Sequence, residues 1–235
     1  MRRDLFTEDH EAFRELCRDF IDKEVVPHYP EWEKGGRMPR EVFEQMGSLG
    51  MLGMAIPEEY GGGGEPDYRY NVVMQEEAAK ALVTLSTVRT QLEVILPYFL
   101  HYANPEQRDR WFPGLAAGKL LTAVAMTEPG TGSDLAGMRT TAVPDGDDYI
   151  VNGAKTFITG GMQADLVIVV ARTSTDPDNP AAGAHAAGRR GRHARLHPRS
   201  RAGEDGLQGA GYRGAVVRRR ARAGCQCAGG GGSGL

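Results

Sequence analysis

The sequence predicts an α+β protein, a helical N-terminal region followed by a β region, on three observations. Up to about residue 120, apolar residues recur at spacings of three and four between helix caps and prolines. From Leu120 onward the period changes to short β-branched runs separated by Gly, Asn and Asp. After Gly183 the composition changes again, and Gly, Ala and Arg fill 34 of the last 52 positions.

Residues 7 to 26 read as the first helix. Thr7 is a candidate N-cap, and Phe13, Leu16, Cys17, Phe20 and Ile21 make one apolar face that places Cys17 in the core. Pro27 and Pro30 end it. Pro39 stands at the first position of a second helix, closed by Gly50. Gly61 to Gly64 has neither a preceding strand nor a following Lys-Ser/Thr, so it reads as a loop rather than a phosphate cradle. Tyr70 to Thr90 reads as one long buried helix, and Gln91 to Tyr102 as another with Pro97 as a kink. His101 on it is packed or solvated rather than catalytic. Asn104-Pro105 opens a last short helix.

The strands follow: Leu120 to Met126, Met138 to Val143, a polar turn at Asp145 to Asp148, then Tyr149 to Asn152. A tight Asn152-Gly153 turn and a second strand through Thr159 are expected there. Asp165 to Arg172 is apolar enough for a strand buried on both faces. A helical unit before a β unit is a coherent layered architecture.

The totals narrow the function classes. No apolar run approaches the roughly 20 residues of a membrane span. The start of the chain lacks a signal-peptide core, and three cysteines make no disulfide framework, so a cytoplasmic protein is expected. Cys225 and Cys227 have no second ligand pair, and no metal is expected. The net charge of −3 hides a split. Residues 184–235 hold 11 Arg, no Lys and two acids, for +9, whereas residues 1–183 carry −12.

Chemistry concentrates between Val124 and Gly161. Thr127-Glu128-Pro129-Gly130-Thr131-Gly132-Ser133-Asp134 ends an apolar run in a loop of glycines and hydroxyls. An aromatic-Ile-Thr triplet, Phe157-Ile158-Thr159, follows about two dozen residues later. Glycines and hydroxyls alone mark any tight turn, but in this order they resemble the acyl-CoA dehydrogenase family of flavoenzymes over residues 1–183. The resemblance implies an N-terminal helical domain (1–120) and part of a middle, antiparallel β-barrel (121–183), left incomplete. The family's C-terminal four-helix domain would be absent.

It also implies FAD. By motif position, Met126 and Thr127 would bond the pyrimidine side of the flavin, and Thr159 would bond near N5. Phe157 would pack on the ring system, with Ile158 in the same flavin-binding strand. Gly132 and Ser133 would lie near the pyrophosphate, Ser133 also near the pantetheine arm of an acyl-CoA. Donors near N1–C2=O favour a reduced flavin, which gains negative charge there. Phe157 replaces the Trp expected in the family and loses an indole N–H; Val124 stands where Tyr is common. Glu128 and Asp134 are carboxylates beside a Pro-Gly turn and are not nominated as catalytic. The resemblance implies α,β-dehydrogenation of an acyl-CoA to the trans-2-enoyl-CoA, with electron-transfer flavoprotein as acceptor and a homotetramer as assembly. The glutamate base lies in the family's C-terminal domain, so no catalytic residue is assigned.

From Ala184 the tail (184–235) reads as sequence from a shifted frame. Taking each codon's last two bases with the next codon's first permits a passage resembling the family's Gly-x-x-x-x-Asp-Thr-x-Glu-Leu-x-Phe. Glu204 before Asp205 allows only Lys or Arg in that frame. A frameshift near Gly183, an inactive fragment and a disordered tail are therefore expected, with the strand at Leu166 to Ala171 left as an unpaired edge. Two alternatives remain: an interaction subunit, and nucleic-acid binding through Arg189, Arg190, Arg192, Arg195 and Arg218 to Arg220. Tyr212 is the tail's only aromatic, which leaves little for bases to stack on.

Overall fold

The computed structural model describes residues 5–146, 148–173, 183–189, 197–199 and 211–217. The chain divides into two compact units, Met1–Leu121 and Thr122–Leu235.

The first unit is helical. Helix α1 (Glu8–Phe20) starts at Thr7, whose N–H donates to His10 Nδ1 at 3.2 Å. Its last turn widens into a π segment, Ile21–Val25, where the Val26 N–H reaches the Ile21 carbonyl. Pro27 explains this: its ring has no N–H and needs room from the carbonyl four residues back. The same geometry recurs before Pro97. A π segment, Thr90–Ile95, joins α5 (Ser86–Arg89) to α6 (Leu96–Tyr102), and the Leu96 N–H reaches Gln91.

Helices α2 (Tyr29–Gly35) and α3 (Arg40–Ser48) follow α1, with Pro39 as the N-cap of α3 rather than its first helical residue. The long helix expected over Tyr70 to Thr90 is two pieces. Helix α4 (Arg69–Lys80) stops at Ala81, and Leu82 takes a φ of 56°. Leu82 is also almost fully exposed, so no buried apolar stripe carries the helix across this point. Helix α7 (Pro105–Ala116) has the expected cap: the Gln107 N–H donates to Asn104 Oδ1 at 2.9 Å, and the Asn104 N–H to Gln107 Oε1 at 3.0 Å.

Packing closes the unit. Phe43, Met46, Met74, Val88, Ile95 and Phe112 are fully buried, each contributing roughly 1.5–3 kcal/mol by removal from water. Cys17 is buried as expected, and burial pushes its thiol up to about 12, so it stays protonated. Gly118, at φ 68°, follows α7, where a Cβ would lie 2.0 Å from the Phe43 carbonyl oxygen. The α3 and α7 backbones meet there, and only glycine permits it. Glu77 on α4 is almost fully buried and accepts from Arg14 Nη1 (2.9 Å), Arg18 Nε (3.0 Å) and Lys80 Nζ (2.5 Å). This cluster ties α1 to α4. Exposed His101 stands edge-on to Tyr102.

Among the described residues, the second unit is a seven-stranded sheet, ordered β1-β4-β2-β3-β7-β6 with β5 also on β4. The strands are β1 (Thr122–Ala125), β2 (Thr141–Asp145), β3 (Asp148–Lys155), β4 (Leu166–Arg172), β5 (Gly183–Arg189), β6 (His197–Arg199) and β7 (Gly211–Val217). Four pairs are antiparallel: β2–β3, β3–β7, β4–β5 and β6–β7. β1–β4 is parallel, as is the single Thr141–Arg172 bridge from β2 to β4. The ends of the path, β1 and β6, do not pair with each other among the described residues, so the barrel is incomplete.

Strand β4 is buried along its length from Leu166 to Ala171, as its apolar run predicts. It is not an open edge, however. All seven of its residues pair with β5, from Leu166–Arg189 to Arg172–Gly183. Three short segments of the tail are thus described as strands; the rest of the expected disorder lies outside the described residues, as do Cys225 and Cys227. Among the described residues, no helix is long and apolar enough to cross a membrane, and no group of three His, Cys, Asp or Glu residues could hold a metal ion.

Candidate functional site

The site grows from two chain passages that one strand pairing and one buried ion pair bring together. The first leaves β1 at Met126. In β1, Ala123 and Ala125 point into the core with Val167, Val169 and Ala171 of β4, so the strand end is held in fixed register. The second leaves β3 at Lys155. Strand β3 is continuous through Asn152-Gly153, where a hairpin turn was expected, and its pairing with β2 runs to Asp145–Asp148, where the sequence also predicts a polar turn. Against β7, the register shifts between Val151 and Ala154, which marks a β-bulge. Gly153 serves close approach here, not a turn: a Cβ on it would lie 2.2 Å from Thr140 Oγ1.

The bulge precedes the site passage. Thr156 to Ile158 is not strand, because Phe157 takes a φ of 54°. That turn places Phe157 outward, 70% exposed, and Ile158 inward, buried in the core beside Ala125 and Ala164. A non-glycine residue at positive φ costs on the order of 1 kcal/mol and is held by its surroundings. Here the Thr156 N–H donates to the Thr127 carbonyl at 2.9 Å, and the Gly161 N–H to the Ile158 carbonyl at 3.0 Å.

Glu128 is the organising acceptor. Its Oε2 takes the Arg139 N–H at 2.8 Å, and its Oε1 takes the Thr140 N–H at 2.8 Å and Lys155 Nζ at 2.9 Å. Lys155 Nζ also donates to the Met126 carbonyl at 2.7 Å. Burial alone would push the Glu128 carboxyl up, but hydrogen bonds from Thr140, the Arg139 amide and Lys155 hold it down at about 2. For Lys155, burial wins and lowers its pKa, with Glu128 opposing. Glu128 therefore serves the turn as a carboxylate at neutral pH. The sequence left it unassigned and passed over Lys155; a Lys 27 residues after an acid carries no local signal.

Of the seven expected site residues, Met126 and Thr127 stand where the two passages meet, and Phe157 and Thr159 follow directly after the Thr156 amide that bonds the Thr127 carbonyl. Met126 and Thr127 are half-buried, and Thr159 is exposed beside Phe157. The Ile158 side chain lies in the core, which leaves its backbone to face the site. Gly132 and Ser133 lie on an exposed loop braced from within. The Thr131 hydroxyl donates to the Gly137 carbonyl at 3.1 Å, and the Leu135 N–H to the Ser133 carbonyl at 3.1 Å. A Cβ at Gly132 would meet nothing within 4 Å. An outward aromatic, exposed hydroxyls and an open glycine loop suit a planar, phosphate-bearing cofactor such as FAD.

The models of the acyl-CoA dehydrogenase N-terminal and middle domains match residues 7–119 and 123–208. The sequence reading ended the resemblance at Gly183, whereas the middle-domain match runs on to residue 208. The long-chain specific acyl-CoA dehydrogenase of Mus musculus mitochondria is 45% identical over 181 residues, covering 77% of this chain and 42% of its own. An acyl-CoA dehydrogenase from Geobacillus kaustophilus superposes with a TM-score of 0.86 at 38% identity, over 92% of this chain and 58% of that one. An acyl-CoA dehydrogenase from Bacillus anthracis, solved in complex with FAD, gives 0.79 at 27% identity, over 93% and 38%. The chain belongs to the acyl-CoA dehydrogenase family. It spans less than half the length of that mitochondrial relative.

Proposed function

We propose that the second unit carries the flavin-contacting part of an FAD-dependent acyl-CoA dehydrogenase, acting on an acyl-CoA thioester with electron-transfer flavoprotein as acceptor. The observation that carries this is the meeting of Met126-Thr127 with the passage that leads into Phe157-Thr159, joined by the Thr156 N–H on the Thr127 carbonyl and Lys155 Nζ on the Met126 carbonyl. Bound FAD would supply the two-electron acceptor that α,β-dehydrogenation needs. The protein's own residues bind and orient. Met126 and Thr127 would bond the pyrimidine edge, Phe157 would cover the ring, and the Thr159 hydroxyl would bond near N5. Gly132 and Ser133 would take the pyrophosphate, and Ser133 the pantetheine arm.

The change of composition after Gly183, with its permitted shifted-frame text, supports a frameshift there. The nucleotide sequence tests it: absence of any single-base change near codon 183 that restores the family passage refutes it. The 235-residue polypeptide is expected to bind FAD weakly, to lose it on gel filtration, and to turn over no acyl-CoA. Flavin fluorescence titration and an acyl-CoA-driven dye-reduction assay measure both. No FAD binding at all would refute the cofactor reading, and a yellow, active protein would refute the expectation of inactivity.

A further inference from the structure

The buried pair Glu128–Lys155 has no part in the flavin contacts proposed above, yet it takes two charges almost wholly out of water. Replacing such a pair with apolar side chains is often neutral or stabilising, so the pair is weak evidence for stability alone. Its geometry gives it a second task. Lys155 Nζ donates to the Met126 carbonyl, and the next residue's amide, Thr156 N–H, donates to the Thr127 carbonyl. The peptide planes before and after Thr127 are therefore both held from the β3 side. No cis peptide occurs among the described residues, so the Met126 carbonyl and the Thr127 N–H, which share one peptide, point in opposite directions.

We propose that Lys155 is a positioning residue. Clamped by Glu128, it fixes the Met126–Thr127 peptide so that the Thr127 N–H is turned to the side away from Lys155, where it donates to a carbonyl on the pyrimidine edge of the flavin. This rests on the flavin reading. Glu128 fixes Lys155 in turn: with two backbone amides on its carboxylate, it cannot swing, and the ammonium stays within reach of Met126.

The test uses the full chain and the double substitution Glu128→Gln with Lys155→Met. It removes both charges, keeps an acceptor for the Arg139 or Thr140 amide, and leaves the Met126 carbonyl without its donor. Far-UV circular dichroism and melting verify the fold. The first readout needs no cofactor: the Thr127 amide resonance and its hydrogen exchange in the apo protein. The second is FAD affinity by fluorescence titration. The Thr127 resonance should shift and exchange about tenfold faster, and FAD should bind about tenfold more weakly. Lys155→Arg, which keeps a buried cation donor, should restore both. If the double variant does not fold, Lys155→Gln carries the same readouts. A folded variant with an unmoved Thr127 amide, or with FAD affinity equal to a parent that binds FAD, overturns the proposal. A parent that binds no FAD refutes the flavin reading and Lys155's role toward the flavin, while a shifted Thr127 amide still upholds the peptide clamp.

Discussion

Gly153→Ala is the most direct test of how β3 delivers the site passage. A Cβ at residue 153 would lie 2.2 Å from Thr140 Oγ1, 2.7 Å from its Cβ and 2.7 Å from its Cγ2. Rotation about χ1 cannot relieve this, because Thr140 Cβ itself is too close and Thr140 is almost fully buried. The backbone of β3 or of the Arg139-Thr140 segment must shift, and that segment supplies both amides to Glu128. Overpacking of this kind costs about 1–3 kcal/mol, and three contacts under 3 Å put it near the upper end. Gly153 is not at positive φ, so alanine regains roughly 0.5–1 kcal/mol of backbone entropy. The net loss is about 2 kcal/mol, or a fall of about 4–8 °C in melting temperature for a chain of this size. Thermal melting by circular dichroism measures it. A variant as stable as the parent would refute the close approach of Gly153 to Thr140 and the bulge as the reason for glycine.

Other outcomes follow from the same geometry. Gly132→Ala meets no neighbour and should leave the melting temperature within about 1–2 °C, yet weaken FAD binding if the pyrophosphate approaches that backbone; titration beside melting separates the two. Phe157→Gly releases the positive φ and removes an exposed ring, so stability should change by less than about 1 kcal/mol, while FAD binding falls measurably. Glu77 and Glu128 are both held at about 2 against an ordinary value of 4.5. A lowered folded pKa means their stabilising contribution is complete above about pH 4.5 and is lost as pH falls toward about 2. Melting against pH should show that acid loss, and Glu128→Gln should reduce it; a profile flat between pH 5 and 2 would contradict the buried-carboxylate geometry.

Much of the architecture was legible because it is written in local terms. Asn104-Pro105 caps α7 through its own side chain, the uninterrupted apolar run of β4 implies burial on both faces, and the order of Thr127 to Asp134 marks the family. The misread points are those where distant residues decide. Asn152-Gly153 has the composition of a hairpin turn, but Thr140 pressing on Gly153 makes it a bulge in a continuous strand. Tyr70 to Thr90 has helix-forming residues throughout, but the chain leaves the helix at Leu82, where a residue exposed at positive φ breaks the apolar stripe.

The site divides in the same way. The sequence alone determined which residue types mark the family, because hydroxyls, glycines and an aromatic in a fixed order are a local pattern. Only the tertiary structure decided that Ile158 turns into the core and Phe157 outward, since one positive φ reverses the strand alternation. It also placed Lys155 against Glu128 and the Met126 carbonyl. A contact between residues 27 positions apart exists only once β1 and β3 are held in their places in the sheet, and no spacing rule along the chain encodes that.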